Sequence, residues 1–421
     1  MGLSYSEQLR SFIAANPRGM FREPKGQLKH GFLVPGAAHY GDELWDWDSW
    51  FANVALRQIA LSSQDAELSE ELEGYERGCV LNFLSKRDIR GWVPVMMTPT
   101  TQTPCGDDFE WRTMHKPCLA QHAAFIVKTG AGDAEWLRDH FSYLQAFVDC
   151  YLNHHRNKPT GLLFWIFDIG LGVDNDPCTW NRPPRSSGSI FLNCLMVQEL
   201  EAIAYLADCL NLDEIAQHYR KDKQRLVSAI REHCWDPWLG FYYSVDLNLK
   251  EPDAGNEWGP HYGMPSSYDC LIQRVGVWSG FLAMWSGVAT AEQAERMVLV
   301  HYRNVDTFNC PSGIRTLSRL EKMYCLKASG NPSSWLGPVW GISNYLVFRG
   351  LVRYGYESDA RELAERTIRL FGRDVERFGA LHEYYQPENG EPILNRGFQN
   401  WNFLVLNMIE YLEEGEVIWE F

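Results

Sequence analysis

Carboxylates set among large aromatic rings are the residues of this sequence that could do chemistry. The stretch ELWDWDSWF, Glu43 to Phe51, carries Asp46 and Asp48 between Trp45, Trp47 and Trp50. A core takes the rings without the charges, and a solvated helix takes the charges without the rings. A sugar site uses both, because aromatic faces bind the C–H faces of pyranose rings while polar neighbours take the hydroxyls. Asp48 before Ser49 also reads as a helix cap, and a cap and a ligand contact can coexist. The stretch GLGVDNDPCTWNRPPR offers Asp174 and Asp176 with Trp180 and Arg182 beside them, although composition alone favours reading Asp-Asn-Asp-Pro as an ordinary turn. In LHEYYQPENGEPILNRGFQNWNF, Glu388 to Glu391 reads as a solvated turn, whereas Glu383 stands between His382 and two tyrosines. Packing an acid among rings disfavours its charged form, as a proton-transferring group requires. Two separated carboxylates among rings suit glycosidic bond cleavage, in which one acid protonates the leaving oxygen and the other activates water or attacks.

Other chemistries find less support. The sequence has no His-Glu-x-x-His, no Gly-x-Ser-x-Gly, no P-loop and no Gly-x-Gly-x-x-Gly before a strand. His115 and His122, seven apart, read as helix packing rather than a metal pair, and DLNLKEPD, with Asp246, Asn248 and Asp253, lacks the glycine and glutamate of a calcium loop. The expectation is therefore no metal and no cofactor.

The elements that must position these acids are helices. Apolar residues recur near helical period over about 189–210 and from Ala216 through Ile230, and comparable patterns cover roughly 47–61, 68–86, 117–128, 133–155, 271–284, 290–303, 338–354, 356–373 and 399–414. Strand patterns are few, GFYYSVDL being the clearest. Long segments rich in aromatic, Asp, Gly and Pro residues separate the helices, and such loops usually carry function. No fixed repeat argues for a solenoid. The expected fold is all-α: helical hairpins closed into an α/α ring with the site on loops at one end, one domain over residues 1–421 with loop insertions around 157–188 and 236–270.

The 421 residues are 45% hydrophobic, and 39 Lys and Arg against 54 Asp and Glu leave a net charge of −15 with no basic patch, which argues against a nucleic-acid partner. No segment reads as a signal peptide or a membrane span, so the expectation is a cytoplasmic protein with no membrane partner. Gly2 fits the myristoylation pattern without the basic cluster a second anchor needs. The 11 cysteines form no Cys-x-x-Cys pair, fall mostly in apolar stretches and read as buried, reduced thiols. Seventeen tryptophans are the compositional outlier and lean toward carbohydrate.

These motifs resemble a known family. WDSWF at 47–51 is similar to the Trp-Asp-Ser-Tyr-Phe signature of the family 37 trehalases, and the surrounding LWDWDSWFANVAL is closer to glycoside hydrolase family 63. HKPCLAQH at 115–122 resembles an Asn-x-Lys-Pro-Pro segment, GVDNDP at 172–177 the Gly-x-Asp-Asn-Ser-Pro loop of the general acid, NPSSWLGPVW at 331–340 the Tyr-Trp-Arg-Gly-Pro-Val-Trp segment, and HEYYQPENGE at 382–391 the stretch of the general base. The motifs keep the family's order along nearly the whole chain. The resemblance implies an (α/α)6 barrel, an inverting mechanism and α-glycoside substrates. It implies Asp174 as general acid and Glu383 as general base, with carboxyl groups roughly 6.5–9.5 Å apart. Asp176 and Glu391 are their rivals, and Leu336 replaces a common arginine. Trp45, Trp47 and Asp48 then line the sugar pocket, with Lys116, Gln121, Trp180, Arg182, Trp335, Trp340, Glu391 and Trp401 as wall or hydroxyl contacts.

Larger relatives that trim protein-linked glycans carry an extra β domain and a secretory signal, which this sequence does not show. It is more similar to compact cytoplasmic members that hydrolyse mannosylglycerate or glucosylglycerate. The expected partner is that small glycoside, and a homo-oligomer stays open. A carboxylate aglycone calls for local cations, for which Arg182, Arg185, Arg274, Arg315 and Arg396 stand in or beside the loops, with Tyr40, Tyr262 and Tyr268 as hydroxyl donors. A sugar epimerase using His39, His115, His261 or His382 and a non-catalytic sugar-binding protein are the two other readings.

Overall fold

Helices that are apolar on every face alternate along the chain with helices that are apolar on one, and this alternation dictates two concentric layers. The computed structural model describes residues 3–36, 40–102, 114–130, 132–166, 171–180, 182–249, 268–327 and 333–421. Helix α2 (Asp46–Ser63) is buried without a break from Asp46 to Ala60, and α6 (Ile190–Cys209) and α10 (Gly341–Arg353) are nearly as enclosed. By contrast α7 (Asp213–His233) buries Ala216, Tyr219, Leu226, Ala229 and Ile230, and α11 (Glu357–Phe378) buries one stripe including Ala360, Leu363, Ala364, Ile368 and Phe371. Spacings of three and four place these residues on a single face.

The enclosed helices form the inner ring. Helix α2 touches α4 (Leu119–Thr129), α4 touches α6, α6 touches α8 (Leu282–Trp285), α8 touches α10, α10 touches α12 (Val405–Leu412), and α12 returns to α2. Outside them stand α3 (Ala66–Leu84), α5 (Phe141–His154), α7, α9 (Ala291–Met297) and α11. Helix α1 (Tyr5–Ala14) takes the remaining outer place against α11 and α12, where Arg10 bonds Glu410 and Glu413. The result is an (α/α)6 barrel whose first helix closes against its last.

Most elements follow the sequence reading. The pattern over 271–284 does not: Leu271 and Ile272 form a short strand, and helix begins only at the 3-10 turn Trp278–Phe281. Helix α1 also lay outside the expected set, although its Ser4–Glu7 capping box is visible in sequence. The expectation that no segment reads as a membrane span is corrected by α6, which is long and apolar enough to span, with mean hydropathy 1.4 over an 18-residue window. Of that window 89% is buried inside the barrel, against outer helix α7 as well as its inner neighbours, which accounts for its apolarity. All ten cysteines among the described residues are free thiols, seven of them buried.

The end of the ring formed by the C-termini of the inner helices is sealed by residues 416–421, which engage every inner helix. Gln58 of α2 bonds the Glu416 carbonyl and the Ile418 amide, and Asn407 of α12 bonds the Ile418 carbonyl. Glu420 accepts from Trp285 of α8 at 2.9 Å and from Tyr345 and Arg349 of α10 at 2.5 and 2.9 Å. Phe421 packs on Tyr205 of α6 and under Lys128 of α4. Burial opposes the charge on Glu420, but Arg349 and the Tyr345 and Trp285 donors outweigh it and hold the carboxyl below its ordinary range. Removing one partner of such a pair leaves the other charge buried alone. Glu420→Ala is therefore expected to lower stability by roughly 3–5 kcal/mol in urea unfolding; a loss under about 1 kcal/mol would show that the seal carries no such weight.

Candidate active site

The open end of the barrel is where the inner helices begin, and each inner helix or the segment leading into it contributes a residue there. A short pairing of Leu44–Trp45 with Met96–Met97, continued by the Asp46 amide on the Val95 carbonyl at 3.1 Å, fixes the start of α2. Trp45 thereby takes the N-cap position, and Asp46, Trp47 and Asp48 form the first turn, where a helix favours negative charge. Asp48 is thus not the cap expected from sequence; its Oδ1 accepts from the Asn400 side chain at 2.6 Å. Asp46 accepts from the Lys116 backbone amide and pairs with the Lys116 Nζ, both at 2.8 Å, with both side chains buried. Nζ lies 5.0 Å from the centre of the Trp47 ring.

Aromatic rings close the floor. Trp47 lies 5.1 Å from Trp401, 5.6 Å from Phe191 and 6.2 Å from Trp335. Trp278, Trp335, Trp340 and Tyr384 form a stacked column with centroid spacings of 5.9, 4.0 and 4.7 Å. The register Trp340↔Tyr384 supports this column and places Glu383 at the edge of the cup. The indole nitrogens of Trp335 and Trp401 are buried and have no hydrogen-bond partner.

Two acids meet over this floor. Glu383 is 4% exposed; Tyr40 Oη donates to its Oε1 at 3.0 Å and Asn395 Nδ2 to its Oε2 at 2.5 Å. Burial pushes its pKa up to about 7, the two donors oppose that rise, and the charge of Asp174 adds to it. Asp48 is driven well above the usual carboxylate range by burial first and then by Asp46, with Lys116 opposing and Glu383 adding.

Asp174 is half-buried in a loop that only glycine could start as it does. A Cβ on Gly172, at φ +78°, would lie 2.9 Å from Trp47 and 3.1 Å from Lys116 Nζ. Asn175 Oδ1 accepts the Trp335 amide at 2.7 Å, tying the loop to the aromatic column. Asp176 is consumed by its own turn: its Oδ1 accepts the Cys178 amide at 2.8 Å, and burial raises its pKa to about 6. The two neighbouring aspartates therefore differ in what they can do.

Thus Tyr40, Trp45, Trp47, Asp48, Lys116, Asp174, Trp335, Trp340, Glu383 and Trp401 come together. Others named from sequence stand elsewhere. Gln121 is buried and donates to the Pro117 and Leu195 carbonyls, Arg182 pairs with Asp246 at 2.6 Å, Trp180 is partly exposed, and Glu391 lies on the surface in a two-pronged pair with Arg377. Arg274 and Arg315 pair with Asp236 and Glu388, and Arg396 donates to the Phe378 carbonyl. His115 bonds the Lys116 carbonyl and burial depresses its pKa to about 4, while His382 bonds Asp374. Tyr268 is exposed. Gly2, His39, Asp253, His261 and Tyr262 lie outside the described residues, and among the described residues no cluster of three metal-ligating side chains occurs. Phe191, Trp278, Asn395 and Asn400 were not singled out in sequence, because each is an ordinary core or turn residue until the ring closes.

Residues 41–401 match the family described as the mannosylglycerate hydrolase MGH1-like glycoside hydrolase domain. The chain belongs to this family of glycoside hydrolases. It is 33% identical over 131 residues to the mannosylglycerate hydrolase MGH1 of Selaginella moellendorffii, covering 29% of this chain and 24% of that protein. It is 27% identical over 257 residues to the cytosolic neutral trehalase of Kluyveromyces lactis, covering 58% of this chain and 31% of the trehalase. The matched segments span under half the length of these curated relatives. The crystal structure of the family 63 mannosylglycerate hydrolase from Thermus thermophilus in complex with glucose superposes with a TM-score of 0.67 at 20% identity, covering 96% of this chain and 99% of that one. This MGH1-like member therefore shares the family 63 fold.

The raised carboxyl of Glu383 has a consequence for stability. The unfolded chain releases this proton near 4.5 and the folded protein near 7, so the folded state holds the extra proton between these values and stability falls as pH rises through them. Glu383→Gln removes that penalty. It is expected to raise the unfolding free energy at about pH 8 by up to about 3 kcal/mol, with the gain vanishing toward about pH 4. Thermal melts across pH that show no gain at the alkaline end would contradict the assignment.

Proposed function

We propose that this protein is an inverting α-glycosidase acting on a small α-glucoside or α-mannoside, with glucosylglycerate or mannosylglycerate as the best candidates and the cytoplasm as its setting. One observation carries the reading: Glu383 is buried, held by two donors and charge-coupled to Asp174, above a cup of tryptophan rings. In this reading Asp174, on the more open side, protonates the glycosidic oxygen as the bond to the anomeric carbon breaks. Glu383 takes a proton from the water that attacks the opposite face. Both oxygens of Glu383 accept a hydrogen bond, which fixes the carboxylate plane without consuming all its lone pairs.

The floor supports the same reading. Trp47 and Trp401 line the floor with apolar ring surface for a pyranose, backed by the stacked Trp335, and the buried indole N–H groups of Trp335 and Trp401 have no partner among the described residues. The choice of glycerate as aglycone draws on the names of the Selaginella and Thermus relatives, and the trehalase similarity keeps a neutral disaccharide in the test panel. The epimerase reading has less behind it, since His115 and His382 are both engaged in bonds to their own scaffold.

A proton NMR time course with glucosylglycerate, mannosylglycerate and trehalose tests the proposal. The β-anomer is expected to appear before mutarotation; first release of the α-anomer would overturn inversion. Glu383→Gln is expected to lower kcat/KM by roughly 10²–10⁴-fold. A base must be deprotonated, so kcat/KM of the parent enzyme is expected to fall as pH drops below the Glu383 value of about 7.

A further inference from the structure

The two acids nearest the sugar cup, Glu383 and Asp48, lie on segments 335 residues apart, yet both are held from one six-residue stretch, Asn395-Arg396-Gly397-Phe398-Gln399-Asn400. Asn395 Nδ2 lies 2.5 Å from Glu383 Oε2 and 3.4 Å from Tyr40 Oη, and Asn400 Nδ2 lies 2.6 Å from Asp48 Oδ1. Both asparagines are in the left-handed region, with φ of 44° and 30°, and Gly397 between them has φ of 91°. Asparagine is the non-glycine residue that enters this region most readily, so backbone and side chain ask for the same residue at both positions.

The stretch is pinned along its length. The Glu383 amide bonds the Leu394 carbonyl at 2.9 Å, the Gly397 amide the Leu381 carbonyl at 2.7 Å, and the Gln399 amide the Pro35 carbonyl at 3.1 Å. Phe398 packs against Trp401 at 5.1 Å and Tyr40 at 6.0 Å. An amide nitrogen can only donate, so Asn395 holds Glu383 through Oε2 and Asn400 holds Asp48 through Oδ1.

We propose that residues 395–400 form a clasp in which Asn395 is a positioning residue for the proton-transferring carboxylate Glu383 and Asn400 is a positioning residue for the sugar-contacting carboxylate Asp48. The assignment of Asn395 rests on the reading of Glu383 as the general base. The clasp divides two jobs between two amides: Asn395 keeps Glu383 oriented and favours its ionised form, and Asn400 keeps Asp48 aimed at bound sugar. The charged and titratable groups around Glu383 are Tyr40, Tyr384, Asp48 and Asp174. Asn395 and Tyr40 both donate to Glu383 and favour its ionised form, and Asn395 itself does not titrate, so its removal acts in one direction and raises the pH at which Glu383 loses its proton.

Asn395→Gly keeps the left-handed backbone and removes only the amide. The acid limb of kcat/KM is expected to move up by about one pH unit, so that activity drops about tenfold below the limb and the loss shrinks as pH rises. Asn395→Asp, which sets a second carboxylate against Glu383, is expected to move it further in the same direction. Asn400→Gly is expected to raise KM about tenfold while leaving the limb where it is, because it acts on sugar binding and not on proton transfer. A uniform loss across pH in Asn395→Gly, or a shifted limb in Asn400→Gly, would overturn the division of labour. The carboxyl titration of Glu383, followed by carbon-13 NMR and identified by its disappearance in Glu383→Gln, separates the two layers of argument. An unmoved titration in Asn395→Gly overturns the clasp. A shifted titration with an unmoved kinetic limb leaves the clasp standing and overturns Glu383 as the base.

Discussion

The buried ion pair between Asp46 and Lys116 is the interaction on which the open end of this barrel depends. It joins the first turn of α2 to the chain entering α4 through a backbone and a side-chain contact. Neither charge could be buried alone, and together they fix where Trp47 stands, because Nζ sits against its ring. Gly172 then rests on Trp47 and Lys116 with no space for a Cβ, and two residues later comes Asp174. The position of one acid of the site thus follows from an ion pair that never meets solvent.

The same economy of partners runs through the other buried acids. Asp176 satisfies its own turn, Glu199 takes the first amides of α4, and Glu76 takes Arg57 between α2 and α3. Burial lifts all three, Glu199 to about 8, yet each has its acceptors filled by the scaffold. Glu383 and Asp48 differ in that their partners, Tyr40, Asn395 and Asn400, are neutral side-chain donors beside an aromatic cup. Raised pKa alone does not single them out. What does is a raised carboxyl in a place a substrate could reach.

The two ends of the barrel use comparable chemistry for opposite purposes. At the sealed end Glu420 is surrounded by an arginine, a tyrosine and an indole, is held ionised and ties the inner helices together. At the open end Glu383 has only neutral donors and a second acid nearby, so burial prevails and its proton is held to about neutral pH. Beside an arginine Glu420 is held ionised, whereas Glu383, with no cation among its described hydrogen-bond partners and its carboxyl beside an aromatic cup, can exchange a proton near neutral pH.

Much of this was legible in the sequence. Helical period located the helices in all but the 271–284 and 5–14 stretches, and the structure sorted them into inner and outer layers, since burial on all faces and burial on one differ. Acids set among aromatic rings marked Asp48 and Glu383, and the family resemblance marked Asp174. Sequence could not choose between Asp174 and Asp176, two residues apart in one turn, nor see that Glu391 pairs with Arg377 on the surface. It gave no sign that Asn395 and Asn400 grip acids from other segments, since turn asparagines are common and a hydrogen bond spanning 352 residues leaves no local pattern. Residue type and period determined which groups could do chemistry and which helices would carry them. Closure of the ring alone decided which of those groups meet, because a buried charge is defined by its partners, and the partners come from the far side of the chain.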